Sequence, residues 1–575
     1  NCNVFDSMIS FKKFYVILIP IFIYIFNFLF SLNNNATFTT FLISIFLLIG
    51  IKYTFYDFEI NLKIYDNLNI FTKKNHILNI FLLLIFTIIT QNKFLNIETI
   101  SWDVASYLVA SQEIESGYIP LETQWESKGP LFMYLYFLIN KLSLNNFVYF
   151  KIANDLILFV TSVFIYFTVS NVSINKILGF FSSLLFLSIT SYTWFISELS
   201  EIYCLVLLSI IYFLESRKYK NIFLIGLLFS FSTLINQGTA VFIIPYAIYK
   251  FYNIFIIKSF KKLFNFLNGL LIPHIFFIIL YLSRGLLDVY VSQYLTLPLN
   301  YIQENLSSFY ELKVVLRTIF NYDLFLYLAL LTTATFIFVD LMNRNNKNLK
   351  AFNILQMLNL LFGLGFYFLA GHNYYHHLFY FVFFISLNFV NLNSPKYIKV
   401  SYLYIFIASI SILIATAGSS LSNLSNLKNV YDDYPLKKLS KVIDSSFEDD
   451  SYNIMALDSV LVLYYLEKPN FSYIIHPSNH FEKYIVDDLI RLNRIKTNSF
   501  NHISYLIEKE PEVIICNGRM IIQGKVEDVD FYNCAVDDYK KNYKKINTEE
   551  FLNSKYLDFY KDPYKEINVF IKSKN

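Results

Sequence analysis

The sequence predicts a mainly α-helical protein that crosses a membrane many times and carries a small α/β domain at its C-terminal end. The chain has 575 residues, of which 55% are hydrophobic and 19% aromatic, and its mean hydropathy is +0.45. Those values are typical of polytopic membrane proteins and exclude an ordinary soluble domain. Long apolar runs recur as far as residue 418, and beyond it charged and polar residues become frequent. The change in composition marks the start of the terminal domain.

The apolar runs number about thirteen, and each approaches the length of roughly 20 residues that a helix needs to cross a bilayer. They are predicted at 14–31, 37–55, 77–93, 148–170, 177–195, 202–216, 221–236, 239–257, 263–282, 320–341, 352–369, 374–393 and 399–417.

The positions of lysine and arginine predict the orientation of these spans, because basic residues favour the cytoplasmic side of a membrane. If the N-terminus is cytoplasmic, the basic clusters between spans all fall on that side, provided that 130–142 does not span. We interpret that short run, which ends near Lys141, as a helix in the outer interface, and we expect the amphipathic stretch 104–115 to lie there too. The prediction is a multi-pass protein of the cytoplasmic (inner) membrane with its C-terminal domain extracytoplasmic, or periplasmic.

Three regions follow from this pattern. Residues 1–76 hold two extra N-terminal transmembrane helices, 77–418 form the main membrane module with an outer loop at 94–147, and 419–575 form the α/β domain. Short β-like runs at 452–457, 473–475, 512–516 and 567–571 predict the strands of that domain. Cys516 and Cys534 both fall in it, and the sequence leaves open whether they form a disulfide or remain two free thiols.

Polar residues without an obvious structural role gather on the predicted outer face. Asp103 opens the outer helix, where a carboxylate can act as a general base towards an acceptor hydroxyl or simply cap the helix. Lys128, in the element Lys128-Gly129-Pro130-Leu131, can meet a lipid phosphate or headgroups in general. Glu198 and Glu201 lie three residues apart at the start of a helix, where acidic residues also suit the helix dipole. Either can be a second acid, and Glu198 is slightly preferred.

Further candidates occur later in the same outer segments. Gln237 lies in a tight turn, and Arg284 can pair with phosphate or with Asp288. His372 and His376 are four residues apart, which is the geometry of a metal pair, but no third ligand is evident, so phosphate or sugar contact is the favoured interpretation.

In order and placement these elements resemble the GT-C class of membrane glycosyltransferases, which includes the protein O-mannosyltransferases, the aminoarabinose transferase of lipid A and RgtA/B-like bacterial transferases. The resemblance covers roughly 77–395. Two positions depart from the family pattern: Asn236 stands where a basic residue is usual, and Gly129 replaces the first proline of a Lys-Pro-Pro-Leu type element. The elements that carry the resemblance are Asp103, Gly117-Tyr118-Ile119-Pro120, Lys128 to Leu131, Glu198 or Glu201, Asn236-Gln237-Gly238 followed by Pro245, and His372 to His376.

The resemblance implies a GT-C-like fold and the transfer of a sugar from a polyprenyl-phosphate donor to a lipid, glycan or protein acceptor at the outer face of the membrane. Asp103 and one of the two glutamates would be catalytic, while Lys128, Gln237, Arg284, His372 and His376 would bind the donor phosphate or substrate. We expect no metal, no other cofactor and no nucleic acid partner. The alternatives are a polytopic transporter or flippase, for which mid-span charges are too scarce, and a lipid-linked glycan ligase.

Overall fold

The computed structural model describes residues 76–98, 101–192, 196–219, 221–257, 260–297, 300, 309–342, 351–370, 375–392, 395–480, 482–496, 502–517, 542–548 and 567–573. All the described residues belong to one compact unit, 76–575, and none falls in 1–75. The spans predicted at 14–31 and 37–55 therefore lie outside the described residues, and the domain boundaries at 76 and 418 stay predictions.

Helices dominate the described part of the chain. Their bounds in chain order are α1 His76–Gln91, α2 Trp102–Gln112, α3 Pro130–Leu142, α4 Phe147–Ser173, α5 Lys176–Thr190, α6 Ser200–Ser216, α7 Ile222–Ile235, α8 Ile243–Ile257, α9 Phe260–Ser283, α10 Leu287–Val291, α11 Phe309–Tyr322, α12 Leu324–Met342, α13 Ala351–Ala370, α14 Phe379–Leu387, α15 Pro395–Ser425, α16 Leu427–Asp432 and α17 Pro435–Asp444. Short 3-10 helices occur at Asn92–Phe94, Gln237–Phe242, Tyr375–Leu378 and Asn388–Asn391, and a π-helical turn at Ser292–Thr296.

Each predicted span that falls in the described residues is occupied by helix, which confirms the mainly helical, multi-pass architecture. By length and apolar character, five described helices are candidate membrane spans: His76–Phe94, Phe147–Ser173, Phe260–Ser283, Phe352–Ala370 and Tyr397–Ser425. The span predicted at 320–341 is interrupted, because α11 ends at Tyr322 and Asp323 accepts a hydrogen bond from the Leu326 amide at 2.8 Å to begin α12. The total of thirteen spans stays a prediction.

The outer helix α2 differs from its predicted interfacial placement. Residues 104–111 are all buried, so this helix has no apolar face open to a membrane surface. Its inner side packs on α3 through Tyr107 and Phe132, whose rings are 5.0 Å apart. The C-terminal domain covers the other side, where Gln112 donates to the Tyr464 carbonyl at 3.0 Å. The periodicity of the α2 sequence does not indicate that the C-terminal domain also buries this helix.

The C-terminal region is a small α/β domain, as predicted. Its sheet has the order β1-β2-β4-β3, with β1 and β2 parallel and the other pairs antiparallel. The strands are β1 Ile454–Ala456, β2 Val513–Asn517, β3 Tyr543–Ile546 and β4 Ile567–Lys572, and the helices are α18 Leu461–Leu466, α19 Lys483–Arg491 and α20 His502–Glu508. The sequence missed β3, an edge strand whose two lysines face solvent.

Glu98 fixes this domain against the membrane module. Its two carboxylate oxygens accept the Leu436 and Lys437 backbone amides at 2.7 and 3.0 Å, at the start of α17. The carboxylate thus caps a helix that belongs to the terminal domain, while Glu98 itself follows α1. Because Glu98 is fully buried, this contact holds the start of α17 against the segment that follows α1.

Candidate active site

Asp103 lies in the first turn of α2, but it does not cap that helix. The cap is Ser101, whose hydroxyl accepts the Asp103 backbone amide at 3.2 Å. Capping, the alternative role left open by the sequence, therefore belongs to another residue. The Asp103 side chain is 30% exposed, and it stands at the N-terminal end of a helix, where a negative charge is favoured.

The loop that leads into α3 carries Glu126 and Lys128 and is held by hydrogen bonds to its backbone. Gln237 donates to the Ser127 carbonyl at 3.2 Å, and Gln293 donates to the Glu126 carbonyl at 2.8 Å. The Gly129 amide donates to the Ile235 carbonyl at 3.0 Å, at the end of α7. Gln237, predicted to bind substrate, is thus placed next to Lys128 and fixes the backbone beside it.

Lys128 lies among three carboxylates, those of Glu201, Asp103 and Glu126. Burial opposes its charge, but these carboxylates outweigh burial and raise the pKa of Lys128 above its ordinary value. No carboxylate of the described residues forms a close ion pair with it. Lys128 is therefore an ammonium ion that stays charged and retains hydrogen-bonding capacity for an anionic group.

Glu126 is buried, with 1% of its surface exposed. Burial raises the pKa of Glu126. Its Oε1 accepts the Ser127 amide at 2.6 Å and the Ser127 hydroxyl at 2.9 Å, and its Oε2 is buried without a hydrogen bond to any described residue. Glu126 thus contributes a further, less readily ionised acid beside Lys128.

The structure separates the two glutamates that the sequence could not. Glu201 accepts a hydrogen bond from Asn236 at 3.2 Å and is electrostatically coupled to Lys128. Glu198 instead lies 3.4 Å from the Ser197 hydroxyl. The same hydroxyl donates to Asp155 at 2.6 Å. Glu201 therefore belongs to the group around Asp103 and Lys128, and Glu198 belongs to a separate buried polar group.

Asn236, where the family pattern has a basic residue, has a structural explanation here. Its amide nitrogen donates to the Glu201 carboxylate and to the Ser200 hydroxyl, and its oxygen accepts the Gly238 amide at 3.0 Å. The side chain thus orients Glu201 and closes the turn after α7.

Histidines close another side of this group. The ligand atoms of Glu201, His376 and His377 all lie within 4.8 Å of one another, a donor set of the kind that holds a divalent cation. His372 lies outside the described residues, so the pairing of His372 with His376 is not described. The expectation that no metal is needed stays a prediction.

Arg284 lies apart from these residues. Its guanidinium pairs with Glu122 at 3.6 Å and donates to the Gly117 carbonyl at 3.3 Å, and its side chain is 44% exposed. The pairing with Asp288 considered from the sequence is replaced by these contacts with the outer loop.

His476, which the sequence analysis did not single out, completes the surroundings of Asp103. Its Nε2 lies 3.1 Å from Asp103 Oδ1. Burial disfavours ionisation of Asp103, but the hydrogen bond from His476 and the charges of His476 and Lys128 outweigh it and hold the pKa of the Asp103 carboxyl below its usual range. No motif around Asp103 in the sequence includes His476, because His476 belongs to the C-terminal domain.

The assembled site is one enclosed polar group at the junction of membrane module and terminal domain. It combines one ionised carboxylate, a lysine that stays charged, two further acids and three histidines. This set can deprotonate a hydroxyl and stabilise an anion. Its members are Asp103, Glu126, Lys128, Glu201, His376, His377 and His476.

No protein-family model matches the sequence, and no curated protein gives a significant match. Among solved structures, the fold is similar to the crystal structure of ArnT from Cupriavidus metallidurans bound to undecaprenyl phosphate, with a TM-score of 0.56 and 9% sequence identity. The alignment covers 86% of this chain and 97% of that chain. At so low an identity the likeness concerns the fold alone. The protein is a multi-pass membrane protein with an ArnT-like, GT-C-like fold.

Proposed function

We propose that the protein is an integral-membrane glycosyltransferase that moves a sugar from a polyprenyl-phosphate donor to a hydroxyl of a lipid, glycan or protein acceptor. The observation that carries the proposal is the shared location of Asp103, an ionised carboxylate, and Lys128, an ammonium ion open to an anion. The fold supports it, since ArnT, with which the chain shares that fold, was crystallised with undecaprenyl phosphate.

In the proposed reaction Asp103 takes the proton from the acceptor hydroxyl while the oxygen of that hydroxyl attacks the anomeric carbon of the sugar. The new bond joins the acceptor oxygen to that carbon, and the bond between the carbon and the phosphate oxygen breaks. The electron pair of the broken bond leaves with the polyprenyl phosphate. Lys128 stabilises the negative charge that develops on this phosphate, which is where an enclosed cation contributes most.

Glu201 is the second acidic residue of the proposed site. Its carboxylate, oriented by Asn236, helps to keep the ammonium of Lys128 charged. We assign the donor-phosphate contact to Lys128 rather than to Arg284, because Arg284 is engaged with Glu122 and the Gly117 carbonyl.

The proposed location is the outer face of the cytoplasmic membrane, with the terminal domain extracytoplasmic. Cys516 in β2 supports this placement, because it is disulfide-bonded, and disulfides persist outside the reducing cytosol. Its partner lies outside the described residues. The distribution of lysine and arginine between the apolar runs supports the same orientation.

The test is transfer by Asp103→Asn in isolated membranes supplied with undecaprenyl phosphates that carry radiolabelled mannose, glucose, galactose or aminoarabinose. We expect wild-type membranes to move label from at least one donor to an acceptor and the variant to lose about 10²- to 10⁴-fold in rate, the usual contribution of a general base. The matched control is Glu115→Gln. Glu115 is an acid of the same outer loop, but it lies away from the site and pairs with Lys141, with 2.5 Å between Oε2 and Nζ. Normal transfer by Asp103→Asn at normal expression would contradict the proposal.

A further inference from the structure

A short segment of the C-terminal domain runs alongside the outer loop and forms part of the site. The Trp125 amide donates to the Tyr473 carbonyl at 2.6 Å, and Trp125 and Ile474 form a parallel β-bridge. One residue earlier, the Gln124 side chain accepts the Asn470 amide at 3.0 Å and donates to the Asn470 carbonyl at 3.1 Å. These backbone-directed bonds set the register between the two segments.

The same register is fixed by apolar burial. Trp125 is 1% exposed, Ile474 is fully buried, and both belong to one hydrophobic cluster that also contains Leu121 and Tyr281. A slip of one residue would turn Ile474 out of that cluster, because successive side chains of an extended segment point to opposite sides. The position of His476, two residues beyond the bridge, is therefore determined by the docking of the domain.

The imidazole of His476 is held on three sides. Its Nε2 lies 3.1 Å from Asp103 Oδ1, and its Nδ1 lies 2.9 Å from the Ser478 hydroxyl. The ring packs edge-to-face on Trp102, the residue before Asp103, with 6.1 Å between ring centroids. Because both ring nitrogens are engaged, His476 has no nitrogen left to take a proton from a substrate.

Asp103 is held unequally at its two oxygens. Oδ1 faces His476 at 3.1 Å, whereas Oδ2 has the longer contact of 3.3 Å with the Ser101 hydroxyl. Oδ2 is therefore the oxygen that is more readily available to a third group. A base that is fixed through one oxygen presents the other in a defined direction.

We propose that His476 is a positioning residue: it fixes Oδ1 of Asp103 so that Oδ2 receives the acceptor proton, and the C-terminal domain is thereby part of the active site. This inference rests on the proposed function, in which Asp103 is the general base. It assigns to the terminal domain a role beyond covering the membrane module.

The charges around the pair give the proposal a measurable pH dependence. Lys128 and His376 face Asp103, whereas Glu126, Lys128 and His480 face His476. Burial disfavours the charged imidazole, but the hydrogen bond and charge of Asp103 outweigh it and raise the pKa of His476. Protonated His476 stabilises ionised Asp103, so the pair is complete above the lowered pKa of Asp103 and below the raised pKa of His476.

The sign of the effect follows. An Asp103 with a lowered pKa stays ionised, and so able to accept a proton, as the pH falls towards that pKa. Without the imidazolium of His476 the pKa of Asp103 rises, so Asp103 becomes protonated, and can no longer act as a base, at a higher pH. An opposite charge at this distance lowers the pKa of an aspartate by about 1 to 3 units, so the acid limb of the rate profile should move up by about 1 unit or more.

The experiment compares full-length wild type, His476→Gln and His476→Ala in reconstituted membranes, with the donor that wild type uses, over a series of pH values. Glutamine keeps an N–H donor but not the charge, so we expect a rate within about 10-fold of wild type at neutral pH and an acid limb shifted upwards. Alanine also releases the carboxylate, so we expect about a 10²-fold lower rate with the same shift, the scale of loss when a reacting group is misplaced. His502→Gln, which removes a buried histidine of the same domain away from Asp103, is the control and should leave the acid limb in place.

An unshifted acid limb in His476→Gln would overturn the inference. If His476→Ala does not fold, as judged by its elution after detergent extraction, the profile of His476→Gln decides alone. The two proposals fail differently: an active Asp103→Asn rejects the general base, whereas an inactive Asp103→Asn together with unshifted His476 variants rejects only the positioning role.

Discussion

Gly129 offers a test of the packing that places Lys128. Its backbone is extended, with φ −67° and ψ 153°, a conformation that alanine adopts freely. A Cβ added there would lie 2.0 Å from the Leu234 carbonyl oxygen and 2.6 Å from the Leu234 carbonyl carbon. The requirement for glycine at this position is therefore one of space and not of backbone conformation.

The size of the effect follows from those distances. To reach ordinary van der Waals contact at 3.4 Å, the Leu234 oxygen would have to retreat by about 1.4 Å. The obstructing atoms are backbone, so no change of rotamer relieves the clash, and the end of α7 must move away from the start of α3. Overpacking of this kind costs about 1 to 3 kcal/mol. The movement would also strain the hydrogen bond from the Gly129 amide to the Ile235 carbonyl.

Gly129→Ala is therefore expected to lower the midpoint of thermal unfolding of the detergent-purified protein. It is also expected to reduce transfer by about 10-fold or more, because Lys128 is the adjacent residue and a displacement of about 1 Å at a site can cost 10²-fold. Gly418→Ala is the matched control, since it lies in helix α15 with nothing within 4 Å of the added Cβ. That substitution should be neutral or slightly stabilising, because alanine exceeds glycine in helix propensity by about 1 kcal/mol. If both variants melt and react like wild type, the close approach of α3 to α7 is wrong.

Two further predictions concern the second acid and the metal. Glu201→Gln should reduce the transfer rate by about 10-fold or more, since it removes a charge coupled to Lys128. Glu198→Gln should have the smaller effect, because Glu198 is bonded to Ser197 in a separate group. A larger loss of rate in Glu198→Gln than in Glu201→Gln would contradict the assignment. Transfer should continue at an unchanged rate after treatment with EDTA, and a loss that added Zn²⁺ restores would instead assign an ion to Glu201, His376 and His377.

Much of the fold could be predicted from the sequence because its signals are local. Apolar runs of about 20 residues predict helices wherever they occur, and every such run within the described residues is helical. Three strands of the terminal domain were predicted from their β-branched and apolar residues. There are three exceptions: β3 is a polar edge strand, Asp323 interrupts one apolar run by beginning a new helix, and the strand predicted at 473–475 is only an isolated β-bridge of Ile474 with Trp125.

Only part of the membership of the candidate site was predictable from the sequence. The sequence marked Asp103, Lys128 and the Glu198/Glu201 pair, because charged residues at the rim of an apolar bundle are conspicuous. It could not choose between the two glutamates. In the structure they have different partners: Glu201 accepts from the Asn236 amide, and Glu198 accepts from the Ser197 hydroxyl. The roles of these residues in catalysis stay predictions that the experiments above test.

The sequence by itself determined that the chain is a multi-pass helical protein with a polar rim and an α/β domain, since hydrophobicity along the chain is sufficient for that. Only the tertiary structure decided that Glu201 lies beside Lys128 and that His476 reaches Asp103. The physical reason is that such contacts depend on how segments far apart in the chain dock, and neither periodicity nor spacing encodes that docking.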